Sequence, residues 1–253
     1  MARLLLEIAA DGLGSALAAQ AGGADRVELC ADLAGGGVTP SVGVIAAARA
    51  ALALPLHVLI RPRAGDFCYS HTEIHVMQYD IEECARLGCH GVVIGALDAA
   101  GDVDLAACRD LIAAAGSMSI TFHRAFDAVR DRQTALETLI GLGCKRVLTS
   151  GAHSSAPEGA TAIAAVVRQA AGRITVIAGA GIRPENVRQL VAATGVREIH
   201  ASASAPRISS TSRRSAVLQG LDADWRQTDA ETVRRLVDEL RAAENQAGST
   251  AKS

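Results

Sequence analysis

Aromatic residues are scarce in this 253-residue chain, with one Trp, two Tyr and three Phe. The core must therefore be packed from small and aliphatic side chains, and 24 Gly suit many tight turns. No apolar run reaches the ~18 residues that a membrane span needs. The net charge is −2 and no basic stripe stands out, so nothing points to nucleic acid. The opening Met1-Ala2-Arg3 leads directly into strand-like LLLEIA, without the apolar region and cleavage site of a signal peptide. A cytoplasmic location is the resulting expectation. The six cysteines contain no CxxC and read as thiols rather than as a disulfide framework.

Eight short β-rich runs are present: Leu4–Ala9, Arg26–Cys30, Leu56–Arg61, Gly91–Ala96, Ser119–Phe126, Lys145–Ser150, Ile174–Ala178 and Glu198–Ser202. Segments with helical spacing of Ala, Leu, Ile and Val separate them. Strict alternation of this kind argues for a parallel sheet with helices outside. Eight repeats in about 250 residues favour a single-domain (β/α)8 TIM barrel over an open doubly wound sheet.

The punctuation agrees. Ser70 with Glu73, and Thr228 with Glu231, have capping-box spacing. Pro40, Pro157 and Pro184 sit where helices begin. The strings GGADRVEL, LGCHGVVI, LGCKRVL and TGVREIH form a weak repeat, each with a helix-ending Gly before a strand. The repeat places Cys89 and Cys144 at the bottom of the barrel, as structural thiols. The barrel domain is expected over residues 1–243. Residues 205–227 form a long polar loop after the eighth strand, either a lid or a mobile segment, and 244–253 a disordered tail.

Side chains on barrel strands alternate between the interior and the helix layer. A charge within a strand therefore needs an explanation, because a buried unpaired charge is costly. Leu6 and Ile8 share the outer face, so Glu7 points inward. By the same parity Glu28 and Cys30 point inward, Arg61 pairs with Arg63, Thr121 with His123 and Asp127, and His200 with Ser202. The reading is a charged site at the C-terminal ends of the strands. Glu7 and Glu28 are candidate acid and base, and His123 a proton shuttle. Arg61 and Arg124 are candidates to grip a carboxylate or phosphate in bidentate fashion, with Arg63, Asp66 and Asp127 nearby. The alternative is a buried ion-pair network that merely closes the barrel mouth.

Three small-residue loops could cradle a phosphate: Thr149-Ser150-Gly151, Gly179-Ala180-Gly181 and Ala201-Ser202-Ala203. Their glycines could equally serve only tight turns. His71 and His75 are one helical turn apart, yet no third ligand is evident, so a solvated helix face is expected. Copper(I) prefers soft donors. With only three Met, Cys30 and Cys68 are the only plausible ligands.

These residues also carry a likeness. GGADRVELCADLAGGGVTPSVGV (22–44), IRPRAGDFCYS (60–70), TFHRAFD (121–127), RVLTSG (146–151), AGAGI (178–182) and EIHASA (198–203) resemble the CutC family, in order, over about residues 2–204. The resemblance implies a cytoplasmic barrel, often a homo-oligomer, named for copper homeostasis, some members of which bind Cu(I) through cysteines. Cys30 stands in the family's ELC string. Ala64 replaces a glycine usual in RPRGGDF, His71 and His75 stand where acidic or varied residues are common, and the segment after Ser202 matches loosely. Two functions follow as expectations: a Cu(I)-binding homeostasis protein, or a barrel enzyme acting on a small anionic or phosphorylated substrate.

Overall fold

The computed structural model describes residues 3–211 and 223–250, with side chains to residue 246. Eight parallel strands close into a barrel in chain order. They are β1 (Leu5–Asp11), β2 (Arg26–Cys30), β3 (Leu56–Leu59), β4 (Gly91–Ile94), β5 (Ser119–Phe122), β6 (Arg146–Thr149), β7 (Thr175–Gly179) and β8 (Glu198–Ala201). The helices outside are α1 (Leu13–Ala21), α2 (Val42–Ala51), α3 (His71–Arg86), α4 (Leu105–Ala115), α5 (Arg132–Gly141), α6 (Ala160–Ala170), α7 (Pro184–Thr194) and α8 (Ala230–Thr250). The expected single-domain (β/α)8 barrel is the observed fold.

Local chemistry starts and stops these helices. Ser70 and Glu73 form the expected reciprocal box on α3. Asp104 and Asp131 accept N–H bonds at the starts of α4 and α5. Pro184 occupies the first turn of α7. The glycines at the αβ junctions take positive φ, +74° at Gly88 and +80° at Gly143.

Packing divides by strand face. Leu6, Ile8, Val27, Leu29 and Phe122 are fully buried against helix residues such as Ile81, Leu111, Leu136 and Leu236. Each such side chain contributes roughly 1.5–3 kcal/mol on burial. The core therefore lies between sheet and helix ring. The barrel interior is mixed, with Glu7, Arg26, Glu28, His57, Thr121 and Glu198 all buried beside a small apolar cluster of Cys30, Leu59 and Val93. Interiors of this fold are more often filled by branched aliphatic residues.

Several expectations are corrected. β3 ends at Leu59, so Arg61 lies beyond the strand. β5 ends at Phe122, and Arg124–Ala128 is a 3-10 turn in which strand parity no longer applies. The described parts of the loop expected at 205–227 include a strand pair. β9 (Ser204–Arg207) pairs antiparallel with β10 (Trp225–Thr228), and residues 212–222 lie outside the described residues. Thr228 belongs to β10, where its hydroxyl donates to the Ser202 carbonyl, so it does not cap α8. Asp229 does, accepting from the N–H of Thr232 at 2.9 Å. The tail expected to be disordered from Glu244 is helical to Thr250, while 251–253 lie outside the described residues.

Candidate active site

Register builds the centre of the site. Glu7 on β1 stands level with Arg26 on β2 and with His200 on β8. Both carboxylate oxygens of Glu7 are taken. Oε2 accepts from Arg26 Nε, and Oε1 lies 2.8 Å from His200 Nδ1. Arg26 then donates to Glu198, which accepts from Arg146 Nε at 3.1 Å, and Arg146 donates to Ser119 Oγ at 2.7 Å. One continuous polar ladder thus runs down the inside of the barrel from His200. Sequence reading missed Arg26, Glu198, His57 and Arg146, although Arg26 shares the parity of Glu28, and Glu198 that of His200.

Glu28 stands apart from the ladder. Its Oε2 is buried without a hydrogen-bond partner, with the nearest cationic atom, His200 Nδ1, 4.0 Å away. Burial raises its pKa to about 7, with Glu7 adding to the rise and His200 and Arg26 opposing it. For Glu7, burial also pushes upward, but Arg26 and His200 outweigh it and hold the carboxyl well below the usual range. For His200, burial pushes down, yet the facing Glu28 and Glu7 raise it. The two carboxyls are thus pushed in opposite directions. The reason is the guanidinium beside Glu7.

Five further side chains present unpartnered buried atoms, His57 Nδ1, Arg61 Nε, Tyr69 OH, Thr121 Oγ1 and His123 Nε2, and of these residues Arg61 and His123 line the cavity with Glu28. Arg61 Nη1 donates to the Gly37 carbonyl and Nη2 to that of Gly65, both at 2.8 Å. The expected bidentate grip on a ligand is therefore corrected, because the fork already ties two loops together. What remains are the unpartnered Nε–H, a second Nη2 proton, the Tyr69 hydroxyl beside the guanidinium, and a positive charge that no carboxylate among the described residues pairs with. His123 Nδ1 accepts the N–H of Ala125 at 3.0 Å, which leaves the ring proton on Nε2. Burial, reinforced by Arg61, lowers its pKa to about 3, so the ring is neutral. Phe67 lies 5.0 Å from the His123 ring and 5.2 Å from the Arg61 guanidinium carbon, closing that corner.

Glu28, Arg61, His123 and His200 line one cavity of about 1490 Å³ at the C-terminal mouth. Gly179 lies beside it, where an added Cβ would stand 2.7 Å from Leu148 and 3.4 Å from His200. It is the Leu148 side chain that leaves no room for a Cβ there, while His200 stands at ordinary contact distance. Gly181, Arg124, Asp127 and Ser202 also line the cavity.

The remaining expected site residues fall as follows. The cradle after β6 is filled by the chain's own anion. Asp127 accepts from the N–H groups of Ser150 and Ala152 at 3.0 Å, and from the hydroxyls of Thr149 and Ser150, while Arg124 bridges Asp127 and Ser150. Gly151 N–H is bound to Thr149 Oγ1. Ser150 and Gly151 are thus scaffold and do not line the cavity, which the loop after β6 reaches only from Ala152 to Ser154, while Ala180-Gly181 and Ala201-Ser202-Ala203 line it directly. Arg63 turns outward to Glu73 at 2.6 Å and to the exposed Asp66 at 3.0 Å, so neither Arg63 nor Asp66 lines the cavity. The thiols are separated in their surroundings. Cys30 is buried among Leu33, Leu59 and Val93 and donates to the Ala10 carbonyl, and burial pushes its pKa up. Cys68 is exposed and donates to the Asp98 carbonyl at 3.2 Å. His71 and His75 are exposed on α3, as expected.

Fold and cavity together define a (β/α)8 barrel protein with a buried acid/base cluster at the C-terminal end of its strands. Residues 4–205 match the CutC family. The chain belongs to that family. A relative from Xanthomonas axonopodis pv. citri, described as family protein CutC, is 54% identical over 238 residues, covering 94% of this chain and 99% of that one. A Bacteroides thetaiotaomicron relative of the same description is 48% identical over 204 residues, covering 80% and 82%. The solved CutC of Streptococcus agalactiae, which carries the name of a copper homeostasis protein, superposes with a TM-score of 0.76 at 33% identity, covering 79% of this chain and 98% of that one. No helix among the described residues is long and apolar enough to cross a membrane.

Proposed function

We propose that this chain is a barrel enzyme that acts on a small anionic substrate by acid/base chemistry at the mouth of the barrel. One observation carries the reading. Three buried polar atoms, Glu28 Oε2, Arg61 Nε and His123 Nε2, lack partners in the protein and surround a single cavity. Buried polar groups are normally satisfied, and leaving one bare costs about 1–3 kcal/mol. A ligand that satisfies all three recovers that cost. The unpaired charge of Arg61 selects an anion or a developing oxyanion. Glu28, with a pKa near neutrality, transfers the proton. His200, oriented by Glu7, is a second titrating group beside it.

A copper(I) role, which the names of the relatives bring, rests on Cys30 and Cys68. Their separate surroundings give it no comparable support, and Glu7, Glu28 and His200 are nitrogen and oxygen donors of the wrong softness for that ion. The test is a thermal-shift series with phosphate, acetate, oxalate and small phosphorylated compounds. Arg61-dependent stabilisation is expected, rising with concentration and lost in Arg61→Met. No anion dependence in the wild type, or an unchanged response in the variant, would remove the reading.

A further inference from the structure

The three unpartnered atoms have different chemistries. Two are N–H donors, from His123 and Arg61, at a corner closed by Phe67. Such a corner is made for one acceptor oxygen. His123 is fixed as the Nε2–H tautomer by the Ala125 N–H, so it can only donate at that atom. A neutral imidazole is a weak acid, close in strength to an enol, and strengthens its hydrogen bond as negative charge grows on a carbonyl oxygen. Gly95 makes the placement possible. A Cβ there would stand 3.0 Å from Ala125 Cβ and closer still to the His123 ring.

Glu28 comes from β2 and His123 from the end of β5, three strands round an eight-stranded ring. The carboxyl and the N–H corner therefore face one another across the mouth. Covalent activation of a carbonyl is not provided for. The chain has two lysines, Lys145 and Lys252. Lys145 lies at the foot of β6 beside a separate cleft, and Lys252 lies outside the described residues. No lysine among the described residues lines the mouth, so a Schiff base has no amine there.

We infer that the mouth binds a small carbonyl compound with its oxygen on His123 Nε2–H beside Arg61, and that Glu28 moves the hydrogen on the adjacent carbon. The inference rests on the acid/base reading above and names its substrate class. The C–H bond breaks, its electron pair becomes the C=C bond of an enolate, and the carbonyl π pair moves onto oxygen. The proton passes to the Glu28 carboxylate. Return of the proton to the same carbon gives exchange. In a hydroxy-carbonyl compound, delivery to the former carbonyl carbon gives isomerisation, as the hydroxyl on the neighbouring carbon becomes the new carbonyl and its proton passes to the former carbonyl oxygen. No oxidant or reductant is consumed.

The experiment uses the full chain and a defined set of probes: pyruvate, 2-oxoglutarate, hydroxyacetone, dihydroxyacetone phosphate and ribose 5-phosphate. Each is incubated in D2O and followed by proton NMR, with a thermal-shift measurement alongside. Loss of the α-hydrogen signal of at least one probe is expected. That rate should fall by about 100-fold or more in Glu28→Gln and by about 100-fold in His123→Gln. If His123→Gln does not fold, Glu28→Gln decides alone. Probes that stabilise the protein through Arg61 without exchange would overturn the carbonyl inference and leave the anion reading standing. Absence of both binding and exchange would overturn both. Exchange that persists in Glu28→Gln would overturn the role assigned to that carboxyl.

Discussion

Glu7 and Glu28 sit on neighbouring strands and point into the same barrel, yet only one of them is held. Glu7 has Arg26 on one oxygen and His200 on the other at 2.8 Å, while Glu28 Oε2 has no partner. Glu7 is thereby an anchor for the imidazole, and Glu28 the group left to react. Opposite consequences follow for the two amide substitutions.

Glu7→Gln removes the charge that compensates buried Arg26. Breaking a buried ion pair on one side typically costs about 3–5 kcal/mol. Glu198 remains on Arg26, so a loss near the lower end is expected in urea denaturation at pH 7. His200 loses the charge of its orienting acceptor as well, and its pKa, raised in the wild type by Glu28 and Glu7 against burial, should fall in an NMR titration. An unchanged midpoint and an unchanged imidazole titration would show that the ladder is not coupled.

Glu28→Gln should stabilise the protein, in a pH-dependent way. The folded pKa is raised from 4.5 to about 7, chiefly by burial, with His200, Glu7 and Arg26 facing the group. Below about pH 4.5 the carboxyl is neutral in both states and costs nothing. As pH rises towards 7 the unfolded chain ionises first, so the wild type loses stability. At 1.36 kcal/mol per unit the full loss is about 3 kcal/mol above pH 7. Glutamine has no such loss. Its melting temperature should match the wild type near pH 4.5 and exceed it by roughly 5–10 °C at pH 8. Calorimetry at the two pH values checks the sign.

Gly95→Ala tests the seat of His123. The added Cβ meets the imidazole ring and Ala125, and overpacking of this kind costs about 1–3 kcal/mol. The fold should persist by circular dichroism while Arg61-dependent ligand responses and any α-hydrogen exchange decline. A variant with unimpaired responses would mean that the ring position is not critical.

The thiols give an independent check on the copper reading. Cys68 is exposed, and Cys30, Cys84, Cys89, Cys108 and Cys144 are buried. A thiol reagent at neutral pH should therefore modify one cysteine rapidly and the rest only on unfolding. Cys30→Ser should leave any Cu(I) affinity unchanged. Stoichiometric Cu(I) binding lost in that variant would instead assign the ion to Cys30.

Much of the barrel was legible in the chain. Eight β-branched runs, helix-ending glycines and the Ser70/Glu73 box are local patterns, and they fixed the order of elements. Strand parity then put Glu7, Glu28 and His200 inside. Parity failed where strands stopped. β5 ends at Phe122, and the turn that follows re-aims Arg124 and Asp127 to hold the β6 loop. Nothing local to Arg61 tells that its fork is spent on the carbonyls of Gly37 and Gly65.

The sequence by itself determined the fold, the family and the inward placement of Glu7, Glu28 and His200, because periodicity and motif strings are properties of neighbouring residues. Only the tertiary structure decided which charges are paired. Arg26 and Glu198 are 172 residues apart, and Glu7 and His200 are 193 apart. Whether a carboxylate is an anchor or a proton carrier depends on what closure of the barrel places against it. That closure gave Glu7 two partners and left Glu28 bare at the mouth.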